Sequence, residues 1–314
     1  MTPWLIAAGV ALVPVALGGR VAARLAEARW VRRHPRAALA LWQAIGLAGG
    51  LGAAGVGLVA AATPLAAAFP HGMHTLGHQV VDGRGLAGLG PAHVAALAWS
   101  VGLIAWLLVH TVRTAATTVS EQRRQRLLVD VLADHAAEHD AYVLPSREPV
   151  AYCVPGPAAR IVLSRGTLDL LSGRELAAVL AHERAHAHGR HDLLLLPFVA
   201  LARAFPWLPV ARAARQAVPV LLEMLADDRA RRDHGDRVLA SAIVRMITPS
   251  SGPSAATPGL ADSGVVQRVE RLLGAPVAAS RWVPAAAYST SGLLMSGPVA
   301  VLTAPLVCGL VWPG

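Results

Sequence analysis

The sequence predicts a mainly α-helical, polytopic membrane protein with four transmembrane helices and an α+β domain inserted between the third and fourth. Three observations carry this reading. The chain is 54% hydrophobic and 15% charged, with a mean hydropathy of +0.49, whereas soluble domains carry roughly 25% charged residues. Four stretches are apolar and long enough to cross a bilayer, which takes about 20 residues. Between the third and the fourth lies a more polar segment of about 170 residues, enough for one domain core.

Residues 2–19 carry no charge and form the first predicted span. This stretch lacks a basic leading region and an arginine-rich loop, 20–36, follows it, so it reads as an uncleaved anchor rather than a signal peptide. The second and third spans fall at 38–62 and 91–112, separated by a loop at 63–90 that holds only Asp82 and Arg84 as fixed charges. The fourth lies within 283–314. All 28 basic residues are arginines, and they crowd the loops after the first and third spans. Such loops stay on the cytoplasmic side, which puts both termini and the 63–90 loop outside and the inserted domain, 113–282, in the cytoplasm. This asymmetry accounts for most of the net charge of +9, so no nucleic-acid partner is expected. Trp4, Trp282 and Trp312 stand at span ends, where interfacial anchors belong.

Within the domain, Val119 to Asp140 reads as a charged helix. Short β-branched or aromatic runs at 141–144, 150–154 and 161–163 read as a small sheet. Ser172 to Asp192 is the most informative stretch. Ser172 and Glu175 form a capping-box pattern that starts a helix. Leu176, Val179 and Leu180 give it a buried stripe, and Gly189 is a suitable end. On that helix stands His182-Glu183-Arg184-Ala185-His186. Histidines four apart fall one turn apart on one face, where both can reach one zinc ion, with Glu183 beside the open position. A zinc site of this kind needs a third protein ligand. Only Glu223 and Glu270 follow His186 as glutamates. Glu270 sits between arginines and reads as a solvated ion pair. Glu223 lies on a helical stretch with Asp227 one turn on, where a carboxylate can receive the second N–H of a ligand histidine.

The paired patterns HERAH and Glu223-x-x-Ala226-Asp227-x-x-Ala230 resemble zinc peptidases whose third ligand is a glutamate, the gluzincins. More narrowly, the chain resembles the integral-membrane peptidases of the beta-lactam sensor-transducers (BlaR/MecR type) and the related HtpX-like membrane peptidases, from about Arg113 to Leu273. Ala151-Tyr-Cys-Val-Pro-Gly156 and Arg160-Ile-Val-Leu-Ser-Arg-Gly166 belong to the same likeness. Members often carry an aspartate five residues after the second histidine; here that position is His191, with Asp192 next. The resemblance implies one Zn²⁺ per chain on His182, His186 and Glu223, Glu183 as general base, and Asp227 behind a ligand histidine. It also implies a bacterial cell membrane, hydrolysis of a protein or peptide substrate, and a cytoplasmic transcriptional repressor as the regulatory target. Quality-control proteolysis of membrane proteins is the alternative. Donors for the developing oxyanion are sought among Tyr142, Tyr152, Arg231 and His234. An edge strand of the small sheet would take an extended substrate by strand addition. No sensor domain is expected on this chain after the last span, and hence no direct beta-lactam sensing.

Other features carry weaker expectations. Leu193–Ala202 is uncharged but too short to span, and suits either a membrane-dipping segment or a core helix. Residues 249–264 read as a mobile linker. Relatives are thought to cut themselves near the last span, which makes that loop and 274–284 alternative cleavage regions. His135-Ala-Ala-Glu138-His139 matches an inverted zinc motif with no paired downstream motif. His71, Met73, His74 and His78 in the 63–90 loop suit copper or zinc, the basis of a third reading as a non-catalytic metal sensor. Cys153 and Cys308 should lie on opposite sides of the membrane, so no disulfide joins them.

Overall fold

The computed structural model describes residues 18–66, 69–156, 158–247, 260–274 and 280–311. Helix α1 covers residues 18–27, followed by α2 (Arg29–Arg33), α3 (Pro35–Ala62), α4 (Phe69–Val81) and α5 (Pro91–Leu132). Strands β1 (Asp134–Ala136), β2 (Ala141–Leu144), β3 (Ala151–Val154) and β4 (Arg160–Ser164) come next. Then come α6 (Arg165–Leu170), α7 (Gly173–Gly189), α8 (His191–Ala204), α9 (Pro209–His234), α10 (Asp236–Ile247), α11 (Leu260–Leu273) and α12 (Trp282–Val311). The protein is mainly helical.

Among the described residues, three helices are long and apolar enough to cross a membrane: α3, α5 and, over Trp282–Thr303, α12. They fit a multi-pass membrane protein. The first expected span falls on residues of which 1–17 lie outside the described part, as does most of the expected linker at 249–264. Pro35 and Pro91 open α3 and α5, where the missing N–H leaves nothing unsatisfied. The two helices touch closely at Gly57, where a Cβ would lie 2.2 Å from Ser100 Oγ. Ser100 Oγ donates to the Ala54 carbonyl across the same contact, 2.9 Å away. Small residues and one hydroxyl are how apolar helices bind each other where no hydrophobic effect separates them from lipid.

Three expectations need correction. The 63–90 stretch is not a plain loop: α4 occupies its middle, burying Met73 and Leu76 against Val59, Ala62 and Val301. Its apolar spacing was masked by the histidines between. The third span does not stop at Val112 either. α5 runs unbroken for 42 residues, about 63 Å at 1.5 Å per residue, so its second half projects beyond the roughly 30 Å bilayer core. No proline or glycine interrupts it between Val112 and Leu132. Finally, the helix expected through Asp140 ends at Leu132. Asp134–Ala136 instead pair antiparallel with Ala141–Val143, and Asp140 turns the chain with a φ of 50°.

The sheet has the order β1-β2-β4-β3, with β2 and β4 parallel and both outer pairs antiparallel. The other three strands stand where the sequence put them, and β3 is left at an edge. Arg126 on the α5 extension donates from Nε to the Pro155 carbonyl (3.1 Å) and from Nη2 to that of Ala158 (2.9 Å). Gly156, at a φ of 149°, lies so close to this guanidinium that a Cβ would overlap it. The edge strand is thereby tied to the helix that enters the membrane.

α8 joins both readings made of it. Phe198 is buried with Trp42 and Ile45 of α3 and with Val218 and Leu222 of α9, while Trp106 of α5 donates to the Ala204 carbonyl at 3.2 Å. It is a core helix set among the candidate spans. A second core packs β4 and α6 against α7 and α10 through Leu163, Leu171, Leu176, Val179, Leu180 and Ala242. At its rim, Glu175 completes the capping box and also accepts from Ser241 Oγ (2.6 Å) and Arg245 Nη1 (2.9 Å) of α10.

Hydrogen bonding from Ser241 first, then Ser172 and Arg245, holds the Glu175 carboxyl down at about 2 against the cost of burial. Its stabilising contribution is therefore complete above an unfolded carboxylate pKa of about 4.3 and is lost as the pH falls toward about 2. Glu175→Gln is expected to cost about 1–2 kcal/mol at neutral pH. The Tm difference from wild type should shrink as the pH drops through that window.

Candidate metal centre

Helix α7 carries the centre. Its capped start and its buried Leu176–Val179–Leu180 stripe fix its roll, so His182, Glu183 and His186 turn toward α9 and the β3 edge. Gly189 ends the helix as expected, but Arg190 takes the left-handed conformation (φ 46°). Glycine is needed at 189 for a different reason: a Cβ there would lie 2.5 Å from the His191 ring.

His182 and His186 bring their Nε2 atoms to 3.2 Å of each other. Glu223 Oε2 stands 3.3 Å from the first and Glu223 Oε1 3.4 Å from the second. In tetrahedral zinc sites with bonds of about 2.0–2.1 Å, neighbouring ligand atoms stand about 3.3–3.4 Å apart. The spacing and the N/N/O donor set therefore fit zinc, and these three form the one group of convergent metal-type ligands among the described residues.

Around them is a set of supporting contacts. His182 Nδ1 lies 3.0 Å from Asp227 Oδ1. His186 Nδ1 lies 2.9 Å from Nδ1 of His191, so the residue standing where relatives carry aspartate makes the carboxylate's contact. Burial, and then the charge of His186, push His191 down to about 4. It is neutral near pH 7 and accepts the His186 Nδ1–H, leaving Nε2 of His186 free to ligate. Asp192 accepts from Gln122 of α5 at 3.2 Å. Arg268 of α11 grips Asp227 with two bonds of 2.8 and 2.7 Å and reaches Glu223 at 2.9 Å.

The charges balance inside this cluster. Burial alone would lift Glu223 and Asp227. The histidines and Arg268 outweigh it for Glu223, which stays well below the ordinary carboxylate range, and Arg268 and His182 do so for Asp227, which is also lowered. Burial would likewise depress His182, but Asp227 and Glu223 raise it to about 9. Glu183 goes the other way: burial dominates and pushes its pKa up, toward what a base working near neutrality needs. The centre opens on a cavity of about 330 Å³ that Tyr152, Cys153 and Pro155 of the β3 edge also line. Burial raises the Tyr152 hydroxyl, and burial, Glu183 and Asp192 lift the Cys153 thiol to about 11; both stay protonated.

Of the four oxyanion candidates, the structure brings only Tyr152 to this cavity. Tyr142 stacks on His135 within the sheet, with Arg160 over its ring. Arg231 pairs with Asp236 and Asp228. His234 lines a larger cavity of about 770 Å³ behind α7. Glu270 is exposed, 3.8 Å from Arg32. The inverted motif is not on a helix: His135 lies in β1 and His139 in the turn after it. His74 and His78 lie one turn apart on α4, their Nε2 atoms 3.1 Å apart. Arg268 is the residue that sequence reasoning passed over. Its signal was present: it falls among Val265, Val269 and Leu272, the inward stripe of α11, and a buried arginine needs an acid.

A histidine–histidine–glutamate cluster on an HExxH helix, facing a free strand edge, is the arrangement of a metallopeptidase. Comparison of the sequence with protein families agrees: residues 118–226 match the model of peptidase family M48. That match covers about a third of the chain, and M48 peptidases are metallopeptidases, usually zinc-dependent. The match takes in His182, Glu183, His186 and Glu223 and ends just before Asp227. Neither the curated proteins nor the solved structures give a match.

His191→Ala should weaken zinc affinity about 10- to 100-fold, the usual effect of losing such a supporting contact, while His191→Asp should retain it. Competition against a chromogenic chelator measures both.

Proposed function

We propose that the protein is a zinc-dependent endopeptidase that cuts a polypeptide at the membrane surface, with His182, His186 and Glu223 as metal ligands. The observation that carries this reading is the 3.2–3.4 Å convergence of these ligand atoms beside Glu183. A zinc ion held there supplies Lewis-acid polarisation of a carbonyl and lowers the pKa of water toward ~7.

The chain's own residues account for the rest. Asp227 and His191 hold the two ligand imidazoles in orientation, and Arg268 holds Asp227. The free edge of β3 pairs with the extended substrate, whose backbone then runs past the centre. Glu183, buried and raised in pKa, takes a proton from the attacking water and passes it to the leaving amine. Tyr152, protonated and lining the same cavity, is the candidate donor to the developing oxyanion.

The arginine distribution supports a cytoplasmic peptidase domain and outer termini. Regulatory cleavage of a cytoplasmic repressor is the role suggested by resemblance to the sensor-transducers. The packing of α8 among the candidate spans favours a second reading, quality control of membrane proteins, because a centre so close to the bilayer can meet segments leaving it.

Detergent-purified wild type should hold about one zinc per chain, and His186→Ala and Glu223→Ala should lose it. Zinc retained without Glu223 would remove that residue from the ligand set. Glu183→Gln should keep zinc and lose hydrolysis of an unfolded protein substrate by at least about 100-fold. Wild-type cleavage in that variant would overturn its role as base.

A further inference from the structure

The largest cavity near the centre lies on the opposite side of α7, enclosed by α3, α7, α8 and α9, with a volume of about 770 Å³. Its charged lining is one-sided: Arg36, Arg184 and Arg229 against the single carboxylate of Asp233, with His188 and His234 alongside. Arg184 is steadied by its bond to the His139 carbonyl, 3.0 Å. Among the described residues, the guanidinium groups of Arg36 and Arg229 meet no acid and no acceptor. Four of the eight other arginines on α9 to α11, Arg231, Arg245, Arg268 and Arg271, pair with carboxylates. Two unmatched cations in one cavity, each able to offer a two-pronged set of donors, suit a phosphate or carboxylate group.

The position in the fold narrows the choice. Arg36 is the second residue of α3, at the edge of a candidate span. From there the cavity follows α3 to Gln43, about 10 Å deeper along the helix. That deeper side is formed by Leu39, Leu194 and Leu225. Cations at the rim and apolar side chains toward the bilayer match a lipid standing upright, its phosphate at the surface and its glycerol end below. The basic-flank rule explains Arg36 by itself, but not Arg184 and Arg229, which come from helices of the peptidase segment. We propose that this cavity binds the phosphate of an anionic phospholipid headgroup. The proposal is independent of metal binding and rests on α3 being a span.

The test is lipid binding by the full-length, detergent-purified protein. Native mass spectrometry would follow titration with phosphatidylglycerol, with phosphatidylcholine as the zwitterionic comparison and inorganic phosphate as the competitor. Preferential retention of phosphatidylglycerol is expected. Arg36→Ala with Arg229→Ala should weaken it on the order of 30-fold, from a few-fold per arginine near a membrane surface. Asp233→Asn should tighten it. Arg281→Ala, outside the cavity, should leave it unchanged. Equal retention of both lipids, or unchanged retention in the double variant, would overturn the proposal. Displacement of the lipid by millimolar inorganic phosphate would assign the cavity to a soluble anion instead. The double variant should keep its zinc content, which separates loss of this site from loss of fold.

Discussion

Two carboxylates one turn apart on α9, Glu223 and Asp227, are the constraint around which the domain is assembled. Asp227 is fully buried, and the Glu223 side chain is 38% exposed. Buried charges of this kind cost several kcal/mol each unless opposite charges and hydrogen bonds meet them. Here they are met by two other helices. His182 and His186 come from α7, and Arg268 comes from α11. Each helix has its own apolar stripe, yet it is the need to neutralise these acids that fixes how α7, α9 and α11 stand against one another. The same balance sets the chemistry. Arg268 and the imidazoles keep the Glu223 carboxylate ionised, while Glu183 accepts no such bond among the described residues and its burial outweighs the lowering charges of His182 and His186, so its pKa rises.

The centre is also held in place relative to the membrane. α9 starts among span residues, where Pro209 and Val210 share a small apolar cavity with Gly46, Gly50 and Leu107, and leads to Glu223 and Asp227. α5 leaves the span region as one unbroken helix and clamps the loop after β3 through Arg126. The helices bearing the candidate ligands and the β3 edge are thus anchored to two different candidate spans. A movement between α3 and α5 would change the distance between the candidate ligands and the β3 edge. The close Gly57–Ser100 contact opposes such movement.

Much of this was legible in the chain. Apolar runs without charges have few fates, so α3, α5 and α12 could be read directly. The capping box, the stripe and the HExxH spacing are local, and a local pattern on a regular helix fixes which side chains share a face. Glu223 could be proposed as the third ligand because few glutamates follow His186, and it does stand beside both histidines. β1 was hidden because its three residues carry no strand propensity and depend on β2 for pairing. α4 was hidden because histidines interrupt its apolar positions. His191 could not be read at all, since its contact with His186 depends on the left-handed turn at Arg190.

The sequence by itself determined the long apolar helices, α7, three of the four strands, the membrane character and the candidate ligand types, because propensity, hydropathy and i,i+4 spacing act within a few residues. Only the tertiary structure decided that Tyr152 and not Tyr142, Arg231 or His234 faces the centre. The same holds for Arg268 closing the carboxylate pair and for an unmatched arginine cluster forming behind α7. These facts join residues from distant helices, and what joins them is the balance of buried charge and the packing of whole helices, neither of which is expressed in any short stretch of chain.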